Sequence, residues 1–224
     1  MKFEAKHLIR WGIPGWVFLM WLLFAFGIIN PLLFKNLLLK DLIKSLGILV
    51  TLASIGVPIG YVISQFYFST NWVIGKNLDM SSVTKKVKNF PYPENWEQLD
   101  KKEEYFFIEY LWQSQLSKMS VEKRDYIAGR YSHFLRTIHG IGTLLYSSGF
   151  SFLIFIILMI KVKVDPYYFL LVLFQLVFII LTYINYQYYS KNLKSFQGYF
   201  LNEFINLKEE NNNEEENNDE TPSI

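Results

Sequence analysis

The sequence contains no cysteine, and its long apolar runs contain no Asp, Glu, Lys, Arg or His. The absence of cysteine excludes disulfides, cysteine nucleophiles and thiolate metal sites. Proton-coupled pumps, ion-coupled transporters and intramembrane metalloproteases need ionisable side chains at membrane depth. The uncharged runs therefore argue against all three of these classes of protein.

The sequence also lacks the common catalytic motifs. It has no HExxH helix, no phosphate-binding P-loop and no GxSxG nucleophile turn. Five residues separate His133 from His139 and none of them is a carboxylate, so the two histidines do not form the i, i+4 pair of a helical metal site. We therefore expect a protein that is not an enzyme and that uses no cofactor and no metal.

The chain has long apolar runs instead. Apolar residues make up 51% of its 224 residues, and many of them are grouped in these runs. The runs cover 11–29, 46–67, 140–160 and 167–189, and each is long enough to cross a bilayer as a helix. The sequence therefore predicts an all-α, polytopic membrane protein with four transmembrane helices. A small helical cytoplasmic insert is expected between the second and third spans.

The runs divide the chain into four expected regions. Asn36, Lys40 and Lys44 recur every four residues among leucines, which is typical of a helix lying in the membrane interface. From about residue 208 the tail is acidic and rich in asparagine, and we expect it to be disordered. The regions are a transmembrane hairpin at 1–67 with an interfacial helix at 31–45, a helical insert at 68–139, a second hairpin at 140–190 and a tail at 191–224.

The insert contains one strong helical pattern, from about Glu94 to Lys118. Its apolar residues follow each other by three or four positions, so they share one face of a helix. We expect this face to pack against the first half of the long helix that follows. The residues of the stripe are Tyr105, Ile108, Trp112, Leu116 and Met119.

The distribution of lysine and arginine predicts the topology. Twelve of these residues lie near the span ends on the side of the two termini and the insert, and five lie on the other side. Cytoplasmic loops of membrane proteins carry the excess of Lys and Arg. We therefore expect a multi-pass protein of the inner (cytoplasmic) membrane with both termini and the insert in the cytoplasm.

Three residues of the second span, Gly56, Pro58 and Gly60, have two interpretations. Small residues four apart allow a neighbouring backbone to approach closely, which predicts a helix-packing site. A proline inside a membrane helix also frees a carbonyl group and bends the helix, which is the property of a hinge.

The stretch from Ser120 to Ile160 predicts a single helix about 60 Å long, with a basic, aromatic first half and an uncharged second half. Gly140, Thr143 and Ser147 continue a small and polar strip from the first half into the third span. Hydroxyl groups stabilise contacts between membrane helices, and they also line polar pores. The strip is therefore interpreted either as a helix contact or as a pore lining.

The first half of this helix carries a second candidate site, made of five basic residues with aromatic residues between them. Basic residues next to a membrane normally meet lipid headgroups. Basic and aromatic residues together also bind single-stranded nucleic acid, because they neutralise phosphates and stack on bases. The basic residues are Lys123, Arg124, Arg130, His133 and Arg136, and the aromatic ones are Tyr126, Tyr131 and Phe134.

Four spans, a cytoplasmic insert and the N-terminal motif Arg10-Trp11-Gly12-Ile13-Pro14-Gly15-Trp16 resemble one known family. It comprises the four-helix membrane accessory proteins found beside type VI-B CRISPR effectors and, in related forms, beside DNA-uptake genes. The resemblance implies a modulator of an RNA-guided, RNA-cleaving effector, or a membrane component for single-stranded nucleic acid. It brings no catalytic residues.

Two functions follow as hypotheses. The first is an oligomeric accessory protein in the lipid bilayer, with or without a pore, whose partners are single-stranded nucleic acid or a CRISPR effector complex. The second is a membrane scaffold whose cytoplasmic helices dock another protein. A small-solute transporter is disfavoured by the missing ionisable groups.

Overall fold

The computed structural model describes residues 5–38, 42–73, 78–161 and 166–219. Within these ranges the chain is helical apart from turns and contains no strand, which confirms the all-α class. The helices are α1 (Ala5–Ile29), α2 (Pro31–Leu38), α3 (Leu42–Val73), α4 (Ser81–Thr84), α5 (Lys101–Ser117), α6 (Val121–Lys161) and α7 (Pro166–Asp219), with a 3-10 turn at Trp96–Gln98.

Four of the helices, α1, α3, α6 and α7, are long and apolar enough to cross a membrane. They contain the four predicted runs. The helix α6 is uninterrupted over 41 residues, as the sequence predicts, and Glu122 lies in its first turn, where an acidic side chain is favourable.

The chain divides into two compact units. Unit 1 comprises Met1–Thr70 and Thr137–Gln187, and unit 2 comprises Asn71–Arg136 and Tyr188–Ile224. The divisions lie close to the boundaries drawn from the sequence. Both α6 and α7 contribute residues to each unit.

Unit 1 has a small core and a large apolar surface. The core centres on Trp21, Ala25, Phe155, Tyr168 and Val172. Many other large apolar side chains are exposed, and an apolar surface of that extent is stable against lipid or another protein but not against water. Examples on α6 and α7 are Leu153, Ile157, Phe169, Leu170, Leu173 and Leu181.

The predicted interfacial helix at 31–45 differs from the observed elements. The helix α2 ends at Leu38, and Leu42 already belongs to α3. No glycine or proline occurs between Leu42 and Gly47, and α3 begins at Leu42, further toward the N-terminus than hydropathy alone indicates. Lys40 lies outside the described residues.

Unit 2 has an independent apolar core. Ile108, Trp112 and Leu116 of α5 are buried there, as the helical pattern predicts, while Tyr105 and Met119 pack at its edge. Ile127 of α6 lies opposite, which confirms the expected contact with the long helix. The core also contains residues from α4 and α7 that the sequence analysis did not assign to it, namely Val83, Leu201 and Phe204.

The start of α5 is set by a capping box that hydropathy does not reveal. The Asp100 carboxylate accepts hydrogen bonds from the amides of Lys102 and Glu103, both at 2.8 Å, and Glu103 accepts one from the Asp100 amide at 2.9 Å. These bonds satisfy amides that have no partner within the helix. The helix therefore begins at Lys101, after the 3-10 turn, and not at the predicted Glu94.

The helix α7 continues to Asp219, whereas the sequence analysis expects a disordered tail from about residue 208. No glycine or proline occurs between Gly198 and Pro222. The chain therefore has no strong helix breaker that would end α7 at residue 208.

Candidate functional site

The glycines of α3 lie against α1 of the same chain. A Cβ atom added to Gly60 would lie 1.8 Å from the carbonyl oxygen of Trp11, and one added to Gly15 would lie 1.8 Å from that of Gly56. Two backbones can approach this closely only at glycine, because the Cβ atom of any other residue would overlap the neighbouring carbonyl oxygen. Gly56 and Gly60 are therefore packing residues within one chain.

The N-terminal motif and the α3 motif are thus two sides of one contact. Gly56 faces the Trp16 ring, and Trp16 Nε1 donates a 2.8 Å hydrogen bond to the carbonyl oxygen of Ala53. Pro58 lies within α3, which stays helical through it. Pro58 also borders an open apolar groove lined by Phe18, Ile59, Val62, Ile63, Phe66 and Phe150 among others.

The strip on α6 separates into two parts. Ser147 has no exposed surface, and its hydroxyl donates a 2.5 Å hydrogen bond to the carbonyl oxygen of Pro14 in α1. The Thr143 hydroxyl donates instead to Gly140 of its own helix at 3.0 Å. Ser147 is therefore a helix-contact residue, whereas Gly140 and Thr143 border a cavity of about 200 Å³ that is also lined by Trp11, Ser64, Phe68 and His139.

Beyond Ser147 the interior of unit 1 is polar but filled. The Gln175 amide nitrogen of α7 donates to the carbonyl oxygen of Ser148 at 3.1 Å and to the hydroxyl oxygen of Ser151 at 2.7 Å. All three side chains are fully buried. Hydropathy cannot predict this pairing, because Ser148 and Gln175 lie in different helices and are 27 residues apart in the chain.

His139 belongs to unit 1, although the sequence analysis placed it just outside the third span. Its Nδ1 lies 3.3 Å from the hydroxyl of the buried Tyr67, and its ring lies 5.0 Å from that of Phe68. Gly142 leaves the space for Tyr67, because an added Cβ would lie 2.2 Å from the tyrosine ring. Among the residues that the structure describes, no group of three His, Asp or Glu side chains could hold a metal ion.

Two of the five basic residues of the stripe on α6 form ion pairs in the structure. Lys123 forms a 3.3 Å ion pair with Glu203, and Arg124 forms a 3.5 Å ion pair with Asp125. Both pairs are exposed, and such pairs contribute at most about 1 kcal/mol each. They nevertheless neutralise the two cations at the start of the predicted stripe.

Arg130, His133 and Arg136 are exposed. The Arg130 guanidinium lies 5.0 Å from the centroid of the Phe134 ring, and Arg136 donates to the Ser132 hydroxyl at 2.9 Å. These contacts hold the two arginines without cancelling their charge. The cationic part of the stripe is therefore its second half.

Of the aromatic residues assigned to the stripe, Tyr131 is a core residue. Its hydroxyl donates to Glu109 at 2.9 Å and accepts from Gln197 at 3.2 Å, and its ring packs on Trp112. Tyr126 is 72% exposed and precedes Arg130 by one helical turn. We define the α6 basic face as Tyr126, Arg130, His133 and Arg136.

Comparisons with protein-family models, with curated proteins and with solved structures found no match to this chain. The resemblance to the CRISPR accessory proteins therefore stays a prediction.

Proposed function

We propose that this chain is a non-enzymatic membrane accessory protein, in which unit 1 crosses the membrane and unit 2 binds single-stranded nucleic acid. The observation that carries the proposal is the α6 basic face. Within the described part of the chain no carboxylate pairs with Arg130 or Arg136. Two free positive charges and an exposed tyrosine on one helix can contact phosphates and stack on a base.

The resemblance to the CRISPR accessory proteins suggests the partner with which this chain would act. It implies that the strand is handled together with an RNA-guided, RNA-cleaving effector. The distribution of lysine and arginine favours the inner membrane, and we propose that the protein acts there as a homo-oligomer. The proposal does not require a pore through a single chain. Ser147, Ser151 and Gln175 of unit 1 have no exposed surface in the structure.

A charge-removal experiment tests the proposal. We expect the full-length protein in non-ionic detergent to bind a fluorescent single-stranded oligonucleotide with an affinity that falls as salt rises. Arg130→Gln with Arg136→Gln should weaken binding by about tenfold and reduce the slope of log affinity against log salt by about 1.4, since each phosphate contact to a single strand contributes about 0.7.

The matched control is Lys101→Gln with Lys118→Gln, which removes two exposed charges at the two ends of α5. It should bind like the wild type. Binding that is independent of salt, or an equal loss in this control, would count against the α6 basic face.

A second candidate function is docking of another protein on α5. Phe106 and Tyr110 are 57% and 67% exposed and are one helical turn apart, on the side of α5 opposite Ile108 and Trp112. Exposed aromatic residues are typical anchors of protein interfaces. Absence of any salt-dependent oligonucleotide binding would favour this candidate.

The membrane topology has its own test. Reporters placed near Asn89 and after Lys194 should both report the cytoplasm, and one near Lys161 should report the outside, because Lys and Arg are enriched in cytoplasmic loops. Opposite locations for the Asn89 and Lys194 reporters would refute a four-span arrangement. Accessibility labelling in intact and permeabilised cells is the measurement.

A further inference from the structure

Gly129 lies in the interior of the long helix α6, within the part of that helix that belongs to unit 2. Apart from proline, glycine is the least favourable residue inside a helix, because it has the most backbone freedom to lose on folding. A glycine at this position therefore weakens α6 unless its missing side chain serves a contact.

Packing within the chain does not use the space at Gly129. The residue is exposed, and among the described residues no neighbouring atom lies within 4 Å of the Cβ that an alanine would place there. Gly198, the other described glycine of unit 2, is the opposite case, because it is buried and an added Cβ would lie 3.0 Å from the Cβ of Lys86. The fold therefore needs Gly198, whereas it gives no reason for Gly129.

The neighbours of Gly129 on the helix surface are residues of the α6 basic face. Tyr126 precedes Gly129 by three residues and His133 follows it by four, so all three lie on one side of α6. Tyr126 and His133 are both exposed and are about 10 Å apart along the helix axis. Gly129 therefore forms a gap in the middle of the face, between two exposed rings.

The arginine next to this gap is held beside it. The Arg130 guanidinium lies 5.0 Å from the centroid of the Phe134 ring, one helical turn toward the C-terminus. This contact turns the guanidinium away from Tyr126 and leaves its charge in place. The gap is thus bordered by a cation on one side and by the exposed Tyr126 ring on another.

The gap favours one kind of ligand atom over others. The amide and carbonyl groups in a helix interior are already bonded to each other, so Gly129 offers no polar partner of its own. What it offers is access, because a ligand can touch the main chain of α6 where any other residue would hold it away. An anion at this shorter distance interacts more strongly with Arg130, since Coulomb energy rises as the separation falls.

We propose that Gly129 is the position at which the sugar–phosphate backbone of the bound single strand lies against α6. In this arrangement one phosphate meets Arg130 and a base of the same segment stacks on Tyr126, which are the two contacts that bind single strands. The inference rests on the proposed nucleic-acid binding of unit 2, and it adds a residue that neither charge nor stacking would single out.

The test fills the gap in the full-length protein. Gly129→Ala and Gly129→Leu are purified in non-ionic detergent, and their affinity for a fluorescent oligothymidylate is measured. We expect Gly129→Leu to weaken binding by about fivefold or more, the loss of one stacked base, because leucine holds the strand away from Tyr126. Gly129→Ala should weaken it by less.

Thermal unfolding of the same variants separates this role from a structural one. Alanine is the better helix former and meets no atom here, so Gly129→Ala should raise the unfolding midpoint by about 1–4 °C while it lowers the affinity. A residue that served only the fold would not give a more stable protein that binds less tightly.

The matched controls are Gly149→Ala and Gly149→Leu. Gly149 lies on the same helix, and an added Cβ there also meets no atom within 4 Å. It is about 30 Å from Gly129 along the helix axis, so both controls should bind the oligothymidylate like the wild type.

Four results would overturn the proposal. They are unchanged affinity in Gly129→Leu, an equal loss in Gly149→Leu, a lower unfolding midpoint in Gly129→Ala, and a change in oligomer mass in Gly129→Leu without a change in affinity. The third would assign Gly129 to the packing of the protein itself, and the fourth would assign it to a contact between two copies of the chain.

These results are distinct from a failure of the proposed function. If the wild type shows no salt-dependent binding, the proposed function is wrong and this inference falls with it. If Arg130→Gln with Arg136→Gln weakens binding and Gly129→Leu does not, only the role of Gly129 is wrong.

Discussion

Replacing Gly60 by leucine is expected to prevent unit 1 from reaching its folded state. The first carbon of any side chain at this position would lie 1.8 Å from the Trp11 carbonyl oxygen and 2.8 Å from the Gly15 nitrogen. Both atoms belong to the backbone of α1, so no rotamer change can relieve the overlap and the helices must separate. We expect a loss above about 3 kcal/mol, the upper end of the usual cost of overpacking.

The measurement is the fraction of protein recovered as a monodisperse species in detergent, together with its thermal unfolding midpoint. Gly47→Leu is the matched control, because Gly47 lies on the same helix and an added Cβ there meets no atom within 4 Å. The control should behave like the wild type. If Gly60→Leu and Gly47→Leu were equally well folded, the α1–α3 backbone contact would be refuted.

This contact shows what the sequence could and could not predict. The spacing of Gly56 and Gly60 predicts a close helix neighbour, because small residues four apart are a common signal of helix packing. It does not say which helix that neighbour is. Gly12 and Gly15 entered the sequence argument only as part of the N-terminal motif, so they were not paired with α3.

The same limit applies to unit 2. Periodicity correctly predicts that Ile108, Trp112 and Leu116 share a buried face, because the pattern is local. The contribution of Leu201 and Phe204 was not predicted. The fourth apolar run ends at residue 189, and hydropathy gives no reason to continue its helix, α7, into a second core. Long-range partners are not encoded by local spacing.

The candidate sites were predictable to different degrees. Exposure of Arg130, His133 and Arg136 agrees with the basic pattern that the sequence shows. Two other features depend on distant residues, which no spacing rule reveals. Lys123 is neutralised by Glu203, 80 positions away, and the buried Tyr131 accepts a hydrogen bond from Gln197, 66 positions away. The contact between Lys86 and Ser195, which are 109 residues apart, likewise could not be predicted from spacing.

The second large effect is expected from Thr143→Leu combined with Ser147→Leu. If the strip lined a water-filled path, this change would dewet it and stop conduction while the protein still folded, because leucine is favourable in a membrane helix. In the structure the Ser147 hydroxyl is buried and bonded to Pro14. We therefore expect the double variant to lose about 2–4 kcal/mol of stability, from a lost hydrogen bond and from overpacking.

Wild-type protein reconstituted in liposomes is accordingly expected to pass no ion current through this strip. The matched control is Thr51→Leu with Ser54→Leu, since both hydroxyls are exposed on α3 and bond only to carbonyls of their own helix, Gly47 and Val50. It should keep wild-type stability, which isolates the effect of burial from that of losing two hydroxyls. Conduction by the wild type that disappears in a stably folded Thr143→Leu, Ser147→Leu variant would instead establish a pore, because a contact residue cannot be replaced by a larger one without disturbing the helix that it touches.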